Sequence, residues 1–207
     1  RNVASMTVEM LSPKSNERIL DPACGTGGFL VVAMNKVLKE LKMKMETDFG
    51  KPRIEWDHDE YVMFQDKISD VVSNNFFGFD INPDLVKAAK MNMVMNNGGS
   101  GNIFRINSLL PPHEWPSDFK ENLCEVLGIS KTAICNSKSI ALFDVIVTNP
   151  PFGSKIPIKD PSILEQYDLG YIWEKNNDHW IKTNRLQASV HPEQLFIERC
   201  MQFLKDG

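Results

Sequence analysis

The apolar run Phe143-Asp144-Val145-Ile146-Val147-Thr148 is followed at once by Asn149-Pro150-Pro151-Phe152, and this junction constrains the fold more than any other stretch. A short, β-branched apolar run reads as a buried parallel strand. Ligands of open α/β sheets bind just beyond the carboxyl ends of such strands. Two consecutive prolines fix φ and remove two backbone donors, so the turn is stiff and its carbonyls are left to accept. An Asn amide at a strand tip, a free carbonyl and an aromatic face suit a flat ring that carries an exocyclic NH2. Asn149 and the Pro150 carbonyl would accept the two amino hydrogens while Phe152 stacks on the ring. The plainer alternatives are a proline-stiffened surface turn and an ordinary core phenylalanine.

A second motif narrows the guest. Arg18-Ile19-Leu20-Asp21-Pro22-Ala23-Cys24-Gly25-Thr26-Gly27-Gly28-Phe29-Leu30 runs from a short apolar strand through a glycine loop into a helix. The spacing is not Gly-x-Gly-x-x-Gly, and no Lys follows as a phosphate-binding loop requires. Asp21 stands just before the glycines, where it would repel a pyrophosphate and attract the α-ammonium of an amino acid. Phe76-Phe77-Gly78-Phe79-Asp80-Ile81-Asn82 is another strand ending in an acid, the arrangement that holds ribose hydroxyls. A ligand with both an amino-acid end and a ribose is S-adenosylmethionine.

The loop Asp21-Pro22-Ala23-Cys24-Gly25-Thr26-Gly27-Gly28-Phe29, the strand end Gly78-Phe79-Asp80 and Asn149-Pro150-Pro151-Phe152 together resemble the N6-adenine DNA methyltransferases. They look most like the modification (M) subunit of type I restriction–modification systems. The opening segment, Arg1-Asn2-Val3-Ala4 through Met10-Leu11-Ser12-Pro13, resembles the helix that leads into that family's cofactor loop. The resemblance implies an α/β, Rossmann-like, doubly wound class I methyltransferase fold. Of the seven strands it implies, four can be placed. Residues 1–207 therefore read as one catalytic domain, truncated before the last strands and sliced from a longer polypeptide.

The resemblance implies a site as well. Asn149, Pro150, Pro151 and Phe152 would form the catalytic set. Asp21, Ala23, Cys24, Gly25, Thr26, Gly27, Gly28, Phe29, Asp80, Ile81, Asn107, Ser108 and Asn149 would surround the cofactor. No metal is implied. This chain departs from the family at Asn107, where an Asp is usual, and at Asp80, where many relatives have Glu. The implied reaction is adenine-specific methylation of DNA at N6, with the target base flipped out of the duplex. The implied partners are DNA, a specificity (S) subunit and a restriction (R) subunit in a hetero-oligomer.

Composition supports one globular, cytoplasmic domain. The chain has 207 residues, 42% of them hydrophobic, and a formal charge of −4. No run approaches a membrane span of roughly 18 apolar residues. Cys24, Cys124, Cys135 and Cys200 show neither zinc spacing nor a disulfide framework. An acidic chain is poorly suited to grip DNA alone, because phosphate neutralisation dominates that affinity; a separate sequence-reading subunit fits. After the tetrapeptide, Lys155, Lys159, Lys175, Lys182 and Arg185 are matched by Asp160, Glu165, Asp168, Glu174 and Asp178. The series Lys36, Lys39, Lys42 and Lys44 reads as the solvated face of a helix.

Periodicity places the elements coarsely. Helices are predicted over 3–11, from Thr26 towards Lys44, over 58–73, from Pro83 to Asn96 before Gly98-Gly99, over 117–128, and from Pro192 to Gly207. Strands are predicted over 18–21, 76–80, 102–106 and 143–148. Met91, Met93 and Met95 read as core filler. Trp173 and Trp180 read as core residues, with packing on nucleotides the alternative. Other substrates stay open, because an Asn-Pro-Pro-aromatic turn suits any planar NH2, including RNA bases and protein glutamine. A non-catalytic assembly module with a relic pocket is a reading from another class.

Overall fold

The computed structural model describes residues 2–96, 102–130, 132, 134, 140–152 and 156–206. Gly98-Gly99, Cys135 and Lys155 lie outside the described residues. The chain divides into two compact units. One comprises Arg1–Ile106 with Phe143–Thr148, and the other Asn107–Leu142 with Asn149–Gly207.

The first unit holds helices α1 (Asn2–Leu11), α2 (Gly28–Phe49), α3 (His58–Asn75) and α4 (Pro83–Met95), and strands β1 (Ile19–Asp21), β2 (Phe76–Asp80), β3 (Ile103–Arg105) and β4 (Val145–Ile146). The strands form a parallel sheet in the order β3-β2-β1-β4. Parallel neighbours need crossover connections, which the helices supply. Consecutive strands run one way from β1 to β3, and β4 then returns to the far side of β1. The order thus reverses between β1 and β4, the switch point where doubly wound sheets bind ligands. Leu20 pairs with Phe77 on one side and Ile146 on the other. Ile19, Leu20, Phe77 and Phe79 are fully buried, as strands covered on both faces require.

Local chemistry sets the helix starts. The Asp57 side chain accepts from the Glu60 amide (2.9 Å) while Glu60 accepts from the Asp57 amide (2.8 Å), a reciprocal cap that begins α3. Asn82 accepts from the Asp84 amide at 2.9 Å, and Pro83 occupies the first turn of α4. Leu30, Ala33, Met34, Val37, Leu41 and Met45 line the buried stripe of α2.

The second unit holds α5 (Ser117–Leu127), a short α6 (Pro161–Leu164), the antiparallel ribbon β5 (Tyr171–Asn176) and β6 (His179–Leu186), and α7 (Pro192–Phe203). Its core is built around Arg199, which is 0% exposed. The guanidinium donates from Nε to the Tyr167 hydroxyl (2.8 Å) and from Nη2 to the Leu109 and Leu110 carbonyls (3.3 Å each). Tyr167 itself donates to the Leu109 carbonyl at 2.9 Å. A buried cation must be hydrogen-bonded to be tolerated, and here carbonyls serve in place of a carboxylate. Trp115 packs edge-on against Phe119 beside this cluster.

Several sequence expectations are corrected. α2 begins at Gly28, not Thr26, because Gly27 adopts φ 80° and its amide donates to the Cys24 carbonyl (2.7 Å), a turn incompatible with helix. It runs past Lys44 to Phe49 because Met45 continues the buried stripe, and Gly50 caps it at φ 66°. Strand pairing in the fourth run is confined to Val145–Ile146, since the Asp144 side chain accepts from the Arg18 amide (2.8 Å) at its start. α7 stops at Phe203 rather than Gly207, and the Gln202 and Phe203 carbonyls accept from the amides of Ile140, Ala141 and Leu142. Met93 is core, whereas Met91 and Met95 are exposed. The ribbon at 171–186 is not among the predicted strands, and its Trp173 and Trp180 are surface residues.

Candidate active site

In the first unit, β1 delivers Asp21 to the sheet's carboxyl edge. Asp21 is 1% exposed, and its carboxyl accepts from the Ala23 amide at 3.1 Å. Burial pushes its pKa up to about 7; the neighbouring Thr148 hydroxyl and the Ala23 amide oppose the rise, and the charge of Asp80 adds to it. Among the described residues no cation pairs with it. Thr148, last residue of the β4 segment, was not anticipated as part of the site. Its place at the end of the apolar run, on the strand beside β1, was the available signal.

The glycine loop is tied to β2. The Cys24 amide donates to the Phe79 carbonyl (2.9 Å), and the Gly25 amide donates to Asp80 Oδ2 (2.9 Å). Asp80 Oδ1 accepts from the Asn82 amide at 2.8 Å. A carboxylate has about four lone-pair sites, so Asp80 keeps capacity for two further donors. Asn92 of α4 donates to the Thr26 carbonyl at 2.8 Å, a second brace that the sequence did not advertise. Burial, then the charges of Asp21 and Asp80, push the Cys24 thiol up, which keeps it a neutral packing group.

The glycines divide by role. A Cβ at Gly27 would lie 3.3 Å from the Cβ of Ala89, and φ is +80° there, so Gly27 permits α2 and α4 to approach. Gly25 and Gly28 face open space: a Cβ at either would meet nothing within 4 Å. The backbone is bared at those two positions, which suits close approach by a ligand. Ile81, 62% exposed beside Asp80, adds an apolar surface at the same strand tip. Phe29 is half-buried in α2.

In the second unit, Asn107 accepts from the Leu109 amide at 3.0 Å, and Ser108 is 3% exposed. The carbonyls of Leu109 and Leu110 that hold Arg199 belong to the same turn. A buried arginine and its partners, about 90 residues apart, left no mark in the sequence pattern. Asn149 follows directly on Thr148 and is exposed, as is Pro151, while Pro150 is half-buried. Phe152 is 70% exposed, which removes the ordinary-core alternative for this ring. The structure thus gathers Asp21, Ala23, Cys24, Gly25, Thr26, Gly27, Gly28, Phe29, Asp80 and Ile81 in the first unit. Asn107, Ser108, Asn149, Pro150, Pro151 and Phe152 belong to the second.

The chain is similar to several known proteins. The chain is 30% identical over 152 residues to the type II restriction enzyme and methyltransferase RM.BcgI of Heyndrickxia coagulans, covering 73% of this chain and 17% of that protein. It is 22% identical over 183 residues to the ribosomal RNA large subunit methyltransferase K/L of Buchnera aphidicola, covering 81% of this chain and 22% of that one. Among solved structures, one described as a modification subunit of a type I restriction enzyme from Vibrio vulnificus YJ016 superposes with a TM-score of 0.53 at 22% identity, over 97% of this chain and 29% of that one. The type I restriction enzyme EcoKI M protein gives 0.50 at 18%, over 98% and 30%. The chain therefore spans under a third of each of these proteins, and the two structures share its fold. With the N-6 DNA methylase family matching residues 1–194, nearly the whole sequence, the chain belongs to that family.

Proposed function

We propose that this domain transfers a methyl group from S-adenosylmethionine to the N6 amino group of adenine in DNA, as the modification subunit of a restriction–modification system. The observation that carries the reading is a glycine loop with a buried acid, unpaired with any cation among the described residues, at the tip of β1, joined in one sheet to β4, whose chain continues straight into Asn149-Pro150-Pro151-Phe152.

The residues present fit the cofactor. Asp21 is a buried carboxyl with no counter-ion among the described residues, the group an α-ammonium would neutralise. Asp80 retains acceptor capacity for ribose hydroxyls, Ile81 offers an apolar face to a purine, and the backbone over Gly25 and Gly28 is open. Asn107 keeps a second lone pair on its side-chain oxygen for the purine amino group. Bound there, S-adenosylmethionine supplies an electrophilic sulfonium methyl.

The chain's own task is to aim a weak nucleophile. The N6 lone pair of adenine is delocalised into the ring. Hydrogen bonds from the amino group to the Asn149 side-chain oxygen and the Pro150 carbonyl favour a more tetrahedral nitrogen and hold it in line. Phe152 stacks on the base. Asn149, Pro150 and Phe152 would hold the amino nitrogen towards the methyl group that the cofactor would supply, and the nitrogen's extra proton would pass to water. Orientation and electrostatic complementarity supply most of the effect, with no strong base required. A base must leave the duplex to reach such a turn.

We further propose a cytoplasmic hetero-oligomer with separate specificity and restriction subunits, which fits a formal charge of −4. Among the described residues no helix is long and apolar enough to cross a membrane. The likeness to a ribosomal RNA methyltransferase supports a second reading, in which the acceptor is an RNA base. Transfer of labelled methyl groups by the full-length protein to DNA, RNA and a protein extract separates the readings. Label in DNA adenine is expected; label confined to RNA or protein would replace this proposal, and absence of cofactor binding would indicate an assembly module.

A further inference from the structure

The β5–β6 ribbon takes no part in the chemistry above. Every residue from Trp173 to Lys182 is exposed, including Trp180 at 64%. A two-stranded ribbon bared on both faces is marginal in water. Its side chains alternate between faces. Trp173 lies opposite Lys182 and Lys175 opposite Trp180, so two tryptophans and two lysines form a checkerboard on one face. Glu174 points to the other face and is paired with Arg185.

The inner pair on that face is anchored. Trp173 donates to the Asp168 carbonyl (2.9 Å), and Lys182 pairs with the Asp168 carboxylate (2.6 Å) and sits 5.0 Å from the centre of the Tyr171 ring. The outer pair is not. Among the described residues Trp180 makes no hydrogen bond and Lys175 no ion pair. One rigid aromatic and one free cation therefore stand side by side at the outer end of an anchored ribbon, on a chain whose formal charge is −4. An alternation of ring and ammonium matches an alternation of base and phosphate, whereas a protein interface core is depleted in lysine.

We propose that this ribbon face is a nucleic-acid contact, with Trp180 stacking on a base of the substrate and Lys175 pairing with the adjoining phosphate. The inference rests on the DNA-methylation reading, and it deepens it. Flipping one base leaves its neighbours unstacked, and aromatic or apolar wedges inserted at such steps hold a distorted duplex. The Lys182–Asp168 pair and the Trp173 bond set the ribbon's direction, so the stacking residue is presented without further ordering.

The test uses the full-length protein with its companion subunits and a short fluorescent DNA duplex. Trp180→Ala is expected to weaken DNA binding at least about tenfold, and Trp180→Phe to restore most of it. Lys175→Gln is expected to lower the slope of log affinity against log salt by about one. Cofactor affinity and melting temperature should stay at wild-type values, because among the described residues neither side chain makes a hydrogen bond or an ion pair. If the wild type methylates DNA but both variants bind it as well as wild type, this inference fails and the functional reading stands. If Trp180→Ala keeps its DNA affinity and loses a companion subunit, the face is a protein interface and the proposal is overturned. A wild type that methylates no DNA removes the functional reading and this inference with it.

Discussion

Asp21 ends β1 and Asn149 follows the run that holds the neighbouring β4, yet they meet opposite surroundings. Asp21 is 1% exposed, bonded to its own loop, and set in a network that runs through Gly25 to Asp80 and Asn82. Asn149 is exposed, and Phe152, three residues on, is 70% exposed. The loop at β1 is held by its own hydrogen bonds. The tetrapeptide after β4 presents an amide and a ring to solvent. A group that binds a resident cofactor gains from such pre-organisation. A group that must receive a base extruded from a duplex has to be open. The comparison separates the two duties: residues of the glycine loop and β2 should govern cofactor affinity, and the tetrapeptide should govern turnover.

The largest effect is expected at the exposed side. Asn149→Ala removes one acceptor for the target amine and should lower methyl transfer by about a hundredfold or more, the scale of losing a key polar contact in the transition state. Single-turnover kinetics with labelled cofactor would check it, and near-normal turnover would break the division. At the buried side, Asp80→Ala removes the acceptor of the Gly25 and Asn82 amides together with a proposed ribose contact. Cofactor binding should weaken by about 1–3 kcal/mol, measured by calorimetry. Unchanged affinity would mean that β2 does not face the cofactor.

A pH dependence sharpens the contrast. With its pKa raised from 3.8 to about 7 by burial, Asp21 holds a proton across much of the range in which the unfolded chain has already lost it. The folded state binds more protons between those values, so this group's contribution to stability falls as pH rises from about 4 to 7 and is constant above. An ammonium requires the ionised carboxylate. Cofactor affinity should therefore rise roughly tenfold per unit below pH 7 and level off above it. Asp21→Asn should flatten both profiles, and an unaltered cofactor profile in that variant would place the titrating group elsewhere.

The smallest effects discriminate within the loop itself. Gly27→Ala places a Cβ at 3.3 Å from Ala89 on a residue at φ +80°, at a cost of roughly 1–2 kcal/mol for the backbone alone. It should lower the melting temperature by a few degrees. Gly25→Ala carries the same kind of strain at φ +53° but meets open space, so its added effect should fall on cofactor affinity. Identical behaviour of the two variants would erase the distinction between a packing glycine and a binding glycine.

Much of the first unit was legible because its signals are local. A β-branched run, a glycine cluster after an acid and an Asn-Pro cap each write their geometry into adjacent residues, and the sheet and its helices stand close to where those signals put them. Burial was not legible: the sequence presents Asp21 as a carboxylate, and only packing makes it a group that titrates near neutrality. The second unit was read poorly for the same reason. Arg199 looks like a surface charge until the carbonyls of Leu109 and Leu110 fold onto it. The ribbon did carry a cue, Asn176-Asn177-Asp178 between β-forming stretches, but mixed charges hid its alternation. The exposure of both tryptophans contradicts the usual fate of that residue.

The separation of duties is tested most directly by measuring S-adenosylmethionine affinity in the absence of DNA, for the full-length wild type and Asn149→Ala side by side. This separation predicts binding to both, with affinities that differ far less than turnover, while methyl transfer is lost only in the variant. An affinity that collapses with turnover in Asn149→Ala, or a wild type that binds the cofactor only when DNA is present, would contradict it.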